Sequence, residues 1–206
     1  MPVGEYIRWW ERNDATNVDK LLHLWKLTKP VIAAVNGYAM GGGFWYVTAS
    51  DITIASEAAV FAQPEVRHIS NTTFLFTALV GWKVANRYAL TGDHMSAQEA
   101  LRIGLVNEVV PADQLLPRAM ELARRIAKVP EPSVRLNKHI AMQGLLASGV
   151  QAGMLLNGAL SALVHTSHLP ERDEMFEAQR LGGMRGFLQV RDDKFHPEPF
   201  GPKSQA

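Results

Sequence analysis

Cysteine is absent from the 206 residues, and this absence excludes disulfide bonds, thiolate nucleophiles and metal sites with sulfur ligands. Neither sign of charge is in large excess, because the chain contains 21 lysines and arginines and 20 acidic residues, which gives a formal net charge of +1. The basic residues are also interspersed with acidic ones along the chain. A strong electrostatic surface is therefore not expected, and we predict no nucleic-acid partner.

Long apolar runs are missing as well. No stretch approaches the ~18 uninterrupted apolar residues of a membrane-spanning helix, and the first residues lack a basic region followed by an apolar run. We therefore expect a cytoplasmic protein without a membrane partner. The content of 47% hydrophobic and 20% charged residues is typical of a globular chain with a substantial core.

Short apolar runs separated by turn residues occupy the first part of the chain. A helical pattern lies before Pro30, and residues 31–35 form an apolar run that predicts a buried strand. The consecutive glycines Gly41, Gly42 and Gly43 follow, then an apolar helical segment and a β-branched run at 51–55. The predicted order is strand, glycine corner, helix, strand.

The pattern becomes helical further along the chain. Residues 72–80 and 83–90 read as helices, and Ser96 with Glu99 predicts a capping box at the start of another. Alternation at 105–110 predicts a strand, whereas the sequence from 115 to about 188 has helical spacing without strand signals.

These patterns predict the α/β fold class with two parts. Residues 1–112 would form the mixed core, and residues 113–206 would form a helical carboxyl-terminal region.

The glycine corner has two interpretations. Backbone amides at the start of a helix point outward and favour negative charge, so the corner could stabilise a developing oxyanion. Glycines also simply allow close packing of a helix. The corner matches neither the dinucleotide-binding glycine pattern nor a phosphate-binding P-loop.

The surroundings of the corner favour the first interpretation. The segments concerned are KPVIAAVNGYAMGGGF at 29–44, DITIAS at 51–56, FAQPE at 61–65, LTGD at 90–93 and GLVN at 104–107. Their order and spacing resemble the signature of the enoyl-CoA hydratase/isomerase (crotonase) superfamily. The resemblance implies a spiral of ββα units, a helical region that builds a homotrimer or a dimer of trimers, and an acyl-CoA thioester substrate.

The resemblance also implies site residues. Gly42 matches a backbone donor to the enolate-like oxyanion of the substrate, while Met40, Gly41, Gly43 and Trp45 would line the substrate site. The other donor of the family comes from a loop that precedes the matched segments. We therefore expect a crotonase-like core truncated at its amino terminus.

The acid and base candidates leave the reaction open. Hydratases of the family commonly use two glutamates, but here Trp45 stands at the first position and Glu65 at the second. We predict Glu65 and Gly42 as catalytic residues and add His68, which occupies a turn that is rich in glycine in the hydratases. Either His68 or Glu65 could instead be structural.

Three functions fit these residues. The first is an acyl-CoA enzyme of the enoyl-CoA hydratase/isomerase type, the second a CoA-thioester hydrolase or lyase, and the third a noncatalytic subunit. We predict no cofactor besides the coenzyme A of the substrate. We also predict no metal, because His165 and His168 lack a third ligand at a diagnostic spacing. Asn71 and Thr72 are weaker polar candidates for the site.

Overall fold

The computed structural model describes residues 2–69 and 73–201, so Asn71, Thr72 and the predicted helix start at 72 lie outside the described residues. The α-helices are α1 (Val3–Lys26), α2 (Gly42–Ala49), α3 (Thr73–Val80), α4 (Trp82–Ala89), α5 (Ala97–Arg102), α6 (Leu115–Ile126), α7 (Glu131–Ala147), α8 (Val150–Thr166) and α9 (Pro170–Asp192). The β-strands are β1 (Ile32–Val35), β2 (Tyr38–Met40), β3 (Ile52–Ser56), β4 (Val60–Ala62), β5 (Met95–Ser96) and β6 (Glu108–Val110). Single 3₁₀ turns occupy Pro64–Arg67, Ala112–Gln114 and Asp193–Phe195.

Two small sheets form the α/β part. In the first, the order is β1-β3-β6 and both pairings are parallel. In the second, β2 and β4 are parallel, and β5 pairs with β4 in the antiparallel direction. The apolar and β-branched sequences of β1 and β3 suit a parallel sheet that is covered by helices. The predicted α/β class is confirmed.

The structure differs from the sequence prediction at the shortest strands. β1, α2 and β3 confirm the predicted strand, helix and strand around the glycine corner. However, the sequence patterns missed β2, β4 and β5, and of the strand predicted at 105–110 only the last three residues form a strand, β6. A three-residue strand is too short for alternation to be recognised.

Local signals set both ends of α5. Ser96 caps α5, because its Oγ accepts the backbone N–H of Glu99 at 3.1 Å. At the other end of α5, Gly104 has a φ of +81° and the N–H of Leu105 donates to the carbonyl of Ala100, which closes the helix in a left-handed turn. The predicted cap is thereby confirmed.

The main core lies between the sheets and α2 to α5. Phe44 of α2 and Phe76 of α3 are fully buried there, with an edge-to-face ring contact at 5.1 Å between centroids. A second cluster joins α1, α2 and α8, and the indole N–H of its Trp25 donates to the carbonyl of Ala49 at 2.9 Å. The helix α2, which follows the glycine corner, is therefore held from two sides.

Helices and connecting turns make up the described chain after residue 110. This agrees with the predicted helical region, whereas its division from the core at residue 112 stays a prediction. Among the described helices, no single one is long and apolar enough to cross a bilayer; α7 and α8 reach the required length and composition only as a pair bent by 60°.

Candidate active site

The second sheet brings the glycine corner and Glu65 together. β2 and β4 run parallel with Met40 opposite Ala62, so the residues that follow each strand emerge at the same edge. Gly41 follows β2, and its N–H donates to the carbonyl of Ala62 at 3.2 Å. Three residues beyond Ala62, the Pro64–Arg67 turn carries Glu65. Two strands that the sequence did not reveal therefore place the two predicted catalytic positions side by side.

Gly41 has a backbone conformation that demands glycine. Its φ of 52° and ψ of −117° are closed to residues with a side chain, and a Cβ built there would lie 3.4 Å from Oε2 of Glu65. The helix α2 begins at the next residue, Gly42. Helix geometry leaves the N–H of Gly42 without an acceptor in α2, so the amide is free to serve a ligand.

The carboxyl group of Glu65 is buried and only partly satisfied. The residue is 8% exposed, and Oε1 accepts the indole N–H of Trp45 at 2.9 Å. Oε2 is also buried, and none of the described residues donates to it. Burial raises the pKa of Glu65 from its usual value, while its own backbone amide, Trp45 and Arg191 act against this rise. A raised pKa and a free oxygen are properties of a carboxyl that exchanges protons.

The contact with Trp45 changes the sequence interpretation of that residue. The sequence predicts that Trp45 lines the site, at a position where hydratases of the family commonly carry a glutamate. It does line the cavity, but its ring also carries an N–H that acts directly on Glu65. The residue type shows that Trp45 carries a hydrogen-bond donor, whereas the direction of its indole N–H depends on how α2 packs.

His68 lies in the same site as a neutral group. Burial, followed by the positive charge of Arg191, lowers its pKa to about 3. Its Nδ1 is buried without a hydrogen-bond partner among the described residues, and its ring makes an edge-to-face contact with Phe187 at 5.0 Å. A histidine with this pKa is uncharged near neutral pH and has no imidazolium proton to give.

A cavity of about 520 Å³ connects these groups. Of the seven predicted site residues, six line it, namely Met40, Gly41, Gly42, Trp45, Glu65 and His68. Gly43 is not among the lining residues and is exposed on the first turn of α2. The structure thus brings the predicted catalytic positions into one cavity, and their roles stay predictions.

The carboxyl-terminal part of the chain forms one wall of the cavity, which the sequence did not predict. Leu188, Arg191 and Asp192 of α9 line the cavity, together with His94 and Glu198. Arg191 and Asp192 form a two-point ion pair with both distances at 2.8 Å. The matched segment at 90–93 lies next to His94, but no local pattern pointed to residues more than 90 positions further along the chain.

A buried ionic cluster fixes this wall. The side chain of Arg67 is 1% exposed and binds both carboxyl oxygens of Glu198, at 2.7 and 3.1 Å. It also binds Asp192 at 3.2 Å and the carbonyl of Thr91 at 2.9 Å. Because Arg67 belongs to the same turn as Glu65, the cluster ties the carboxyl-terminal segment to the turn that holds the predicted acid.

The histidines considered for a metal are apart from this cavity. α8 ends at Thr166, so His165 lies in the helix and His168 beyond it. Over residues 2–69 and 73–201, no group of three or more potential ligating residues comes together.

The sequence profile of the enoyl-CoA hydratase/isomerase family matches residues 11–194. The chain belongs to this family. The match includes the glycine corner, Glu65 and the helices of the carboxyl-terminal region, so the resemblance found in the motifs extends over most of the sequence.

Individual relatives support the same assignment. A probable mitochondrial enoyl-CoA hydratase of Dictyostelium discoideum is 42% identical over 191 residues, which are 89% of this chain and 65% of that protein. A crotonyl-CoA hydratase of Syntrophomonas wolfei is 43% identical over 173 residues, covering 82% of this chain and 62% of that protein. The chain therefore spans less than two thirds of the length of either relative.

Solved structures of the family share the fold. A crystal structure of an enoyl-CoA hydratase/isomerase from Xanthobacter autotrophicus Py2 superposes with a TM-score of 0.84 at 29% identity. The superposition covers 92% of this chain and 71% of that one. The small sheets and the helical carboxyl-terminal region are thus features of the family fold.

Proposed function

We propose that this chain processes an acyl-CoA thioester, with Glu65 as its acid/base group and the Gly42 amide as an oxyanion donor. One observation carries the proposal: the buried, unpartnered Oε2 of Glu65 faces the glycine corner at which Gly42 begins α2. The relatives described as enoyl-CoA hydratases support an enoyl-CoA substrate.

A single carboxyl suits migration of a double bond. In a 3-enoyl-CoA, the Glu65 carboxylate would take a proton from the carbon next to the thioester carbonyl, and the oxygen would become an enolate oxyanion held by Gly42. The protonated Glu65 would then return the proton to the γ-carbon as the double bond moves beside the carbonyl. No second acid is required, because one proton leaves the substrate and one returns.

Hydration is the second candidate, since both relatives named above are described as hydratases. Here Glu65 would activate water by taking its proton; hydratases of the family commonly use a second carboxyl group to supply the proton that the substrate gains, and Trp45 occupies that position in this chain. The low pKa of His68, about 3, makes it a poor source of that proton. Thioester hydrolysis or cleavage, and a noncatalytic subunit, are the remaining alternatives.

The test compares two substrates and two variants. Purified protein is given a 3-enoyl-CoA and a 2-enoyl-CoA, and the thioester products are separated by chromatography. We expect isomerisation to exceed hydration, and Glu65→Gln, which keeps the size of the side chain, to lower turnover roughly 10²-fold or more. The matched control Glu57→Gln changes an exposed glutamate and should leave turnover unchanged.

The outcomes separate the alternatives. Equal turnover in wild type and Glu65→Gln, at equal thermal stability, would contradict the role of Glu65 and direct attention to His68. Release of free coenzyme A would favour a hydrolase. Absence of turnover with every acyl-CoA would favour the noncatalytic subunit.

We also propose that the chain assembles into a homotrimer or a dimer of trimers. Supporting this, large apolar side chains on the carboxyl-terminal helices are exposed, among them Leu136, Ile140, Leu156, Leu163, Leu181 and Met184. A cytoplasmic location, and the absence of a cofactor other than the coenzyme A of the substrate, stay predictions.

A further inference from the structure

The indole of Trp45 makes a polar contact at the centre of the cavity. Its Nε1 donates to Oε1 of Glu65 at 2.9 Å, whereas Oε2 accepts no hydrogen bond from the described residues. The carboxyl group is thus held through one oxygen and left free at the other.

Both ends of this contact are fixed by the backbone. The N–H of Trp45 donates to the carbonyl of Gly41 at 3.1 Å, which closes the first turn of α2. The Trp45 ring packs against both core clusters, and this packing limits its rotation. On the other side, the carbonyl of Glu65 accepts the amides of His68 and Ile69 at 3.0 and 2.9 Å. The donor and acceptor therefore have little freedom to separate.

Because Trp45 holds Oε1 of Glu65, the other oxygen, Oε2, lies towards the glycine corner. A Cβ on Gly41 would lie 3.4 Å from Oε2 but 3.8 Å from Oε1. Oε2 is therefore the nearer oxygen to Gly41, the residue that precedes α2. An unrestrained glutamate would populate several rotamers, and most of them would move this oxygen away from the corner.

We propose that Trp45 is a positioning residue, whose indole N–H holds Oε1 of Glu65 so that Oε2 carries the transferred proton beside the glycine corner. This inference rests on the proposed acyl-CoA function. Its chemistry is specific to an indole, which donates a hydrogen bond and accepts none, and so favours the carboxylate over the carboxylic acid. A tryptophan at this position thus keeps its neighbouring base ready to accept a proton.

Other charged groups face the same cavity. Arg191 of α9 also favours the carboxylate form of Glu65, and Asp192 pairs with Arg191. His68, His94, Glu198 and Tyr38 complete the titratable lining. Because all of them remain in a Trp45 variant, a change in the titration of Glu65 would report the loss of the indole contact.

The experiment uses Trp45→Phe, which keeps an aromatic ring and removes the N–H. The matched control is Trp25→Phe, which removes another buried indole hydrogen bond of 2.9 Å, to the carbonyl of Ala49. Carboxyl titration is followed by carbon NMR of protein labelled at the glutamate side chains, and Glu65→Gln identifies the signal of Glu65. We expect the titration midpoint of Glu65 to move to higher pH in Trp45→Phe and to stay unchanged in Trp25→Phe.

Kinetics give the second measurement. In Trp45→Phe we expect kcat to fall about tenfold with little change in KM, and the acid limb of the pH profile to move upward by about one pH unit. A purely structural role would lower the amount of folded enzyme without moving this limb. If Trp45→Phe does not fold, the sulfur analogue benzothienylalanine at position 45 keeps the bicyclic shape and still lacks the N–H.

The result that overturns the proposal is an unchanged Glu65 titration in a folded Trp45 variant. A shifted titration with an unchanged kcat and pH profile would also overturn it, because the contact would then have no part in positioning. If wild type turns over no acyl-CoA, the proposed function fails, while the NMR titration still decides whether Trp45 controls Glu65.

Discussion

His68 offers a quantitative test of the electrostatics of the cavity. Its pKa is about 3 in the folded protein, against a usual value of 6.5, because the ring is buried and lies near Arg191. As the pH falls below 6.5, His68 becomes protonated in the unfolded chain, whereas in the folded chain it stays neutral until the pH approaches 3. The stabilising contribution of neutral His68 is therefore complete above pH 6.5 and is lost progressively as the pH falls towards 3.

The size of the effect follows from the two pKa values. Between pH 7 and pH 5, the linkage relation gives a loss of about 2 kcal/mol in the free energy of unfolding. Partial access of solvent to the ring reduces the expected loss to about 1–2 kcal/mol. His68→Phe should abolish this part of the acid sensitivity, because phenylalanine does not titrate and can keep the ring contact with Phe187.

Urea unfolding at pH 7 and pH 5, followed by tryptophan fluorescence, measures the difference. Wild type, His68→Phe and the control His139→Gln, at an exposed position of α7, are compared at one protein concentration. At pH 7 the Phe variant should be at least as stable as wild type, since it removes a buried Nδ1 without a described partner. An equal loss between the two pH values in wild type and His68→Phe would refute a buried neutral histidine.

Two further predictions concern the glycine corner and the assembly. Gly41→Ala should lower the free energy of unfolding by about 1–3 kcal/mol, because its φ of +52° is strained for alanine. Gly37→Ala, whose Cβ would meet nothing within 4 Å, is the control, and an equal loss in both variants would contradict the argument. Light scattering at micromolar concentration should show an oligomer, since Ile140 and Leu181 are 67% and 73% exposed, and a stable monomer would count against the assembly.

The sequence alone was sufficient for features that depend on neighbouring residues. The three glycines, the apolar helix that follows them and the Ser96 cap all rest on interactions within a few positions of the chain. Glu65 became the acid candidate only through the resemblance of the motif at 61–65 to the enoyl-CoA hydratase/isomerase family. Local backbone preference and capping chemistry are the physical basis of the other predictions, namely the glycine corner, its helix and the cap.

Tertiary structure decided the arrangement of the site. β2 and β4 have three residues each and no periodicity to recognise, yet their parallel pairing sets Glu65 beside Gly41. The Trp45 to Glu65 contact spans 20 positions, and the Arg67 to Glu198 pair spans 131. Such contacts exist only after helices and strands have packed, because burial fixes the side-chain directions and excludes the water that would otherwise satisfy these groups. Residue types could therefore be read from the chain, whereas the unpartnered Oε2 and the lowered pKa of His68 are consequences of packing.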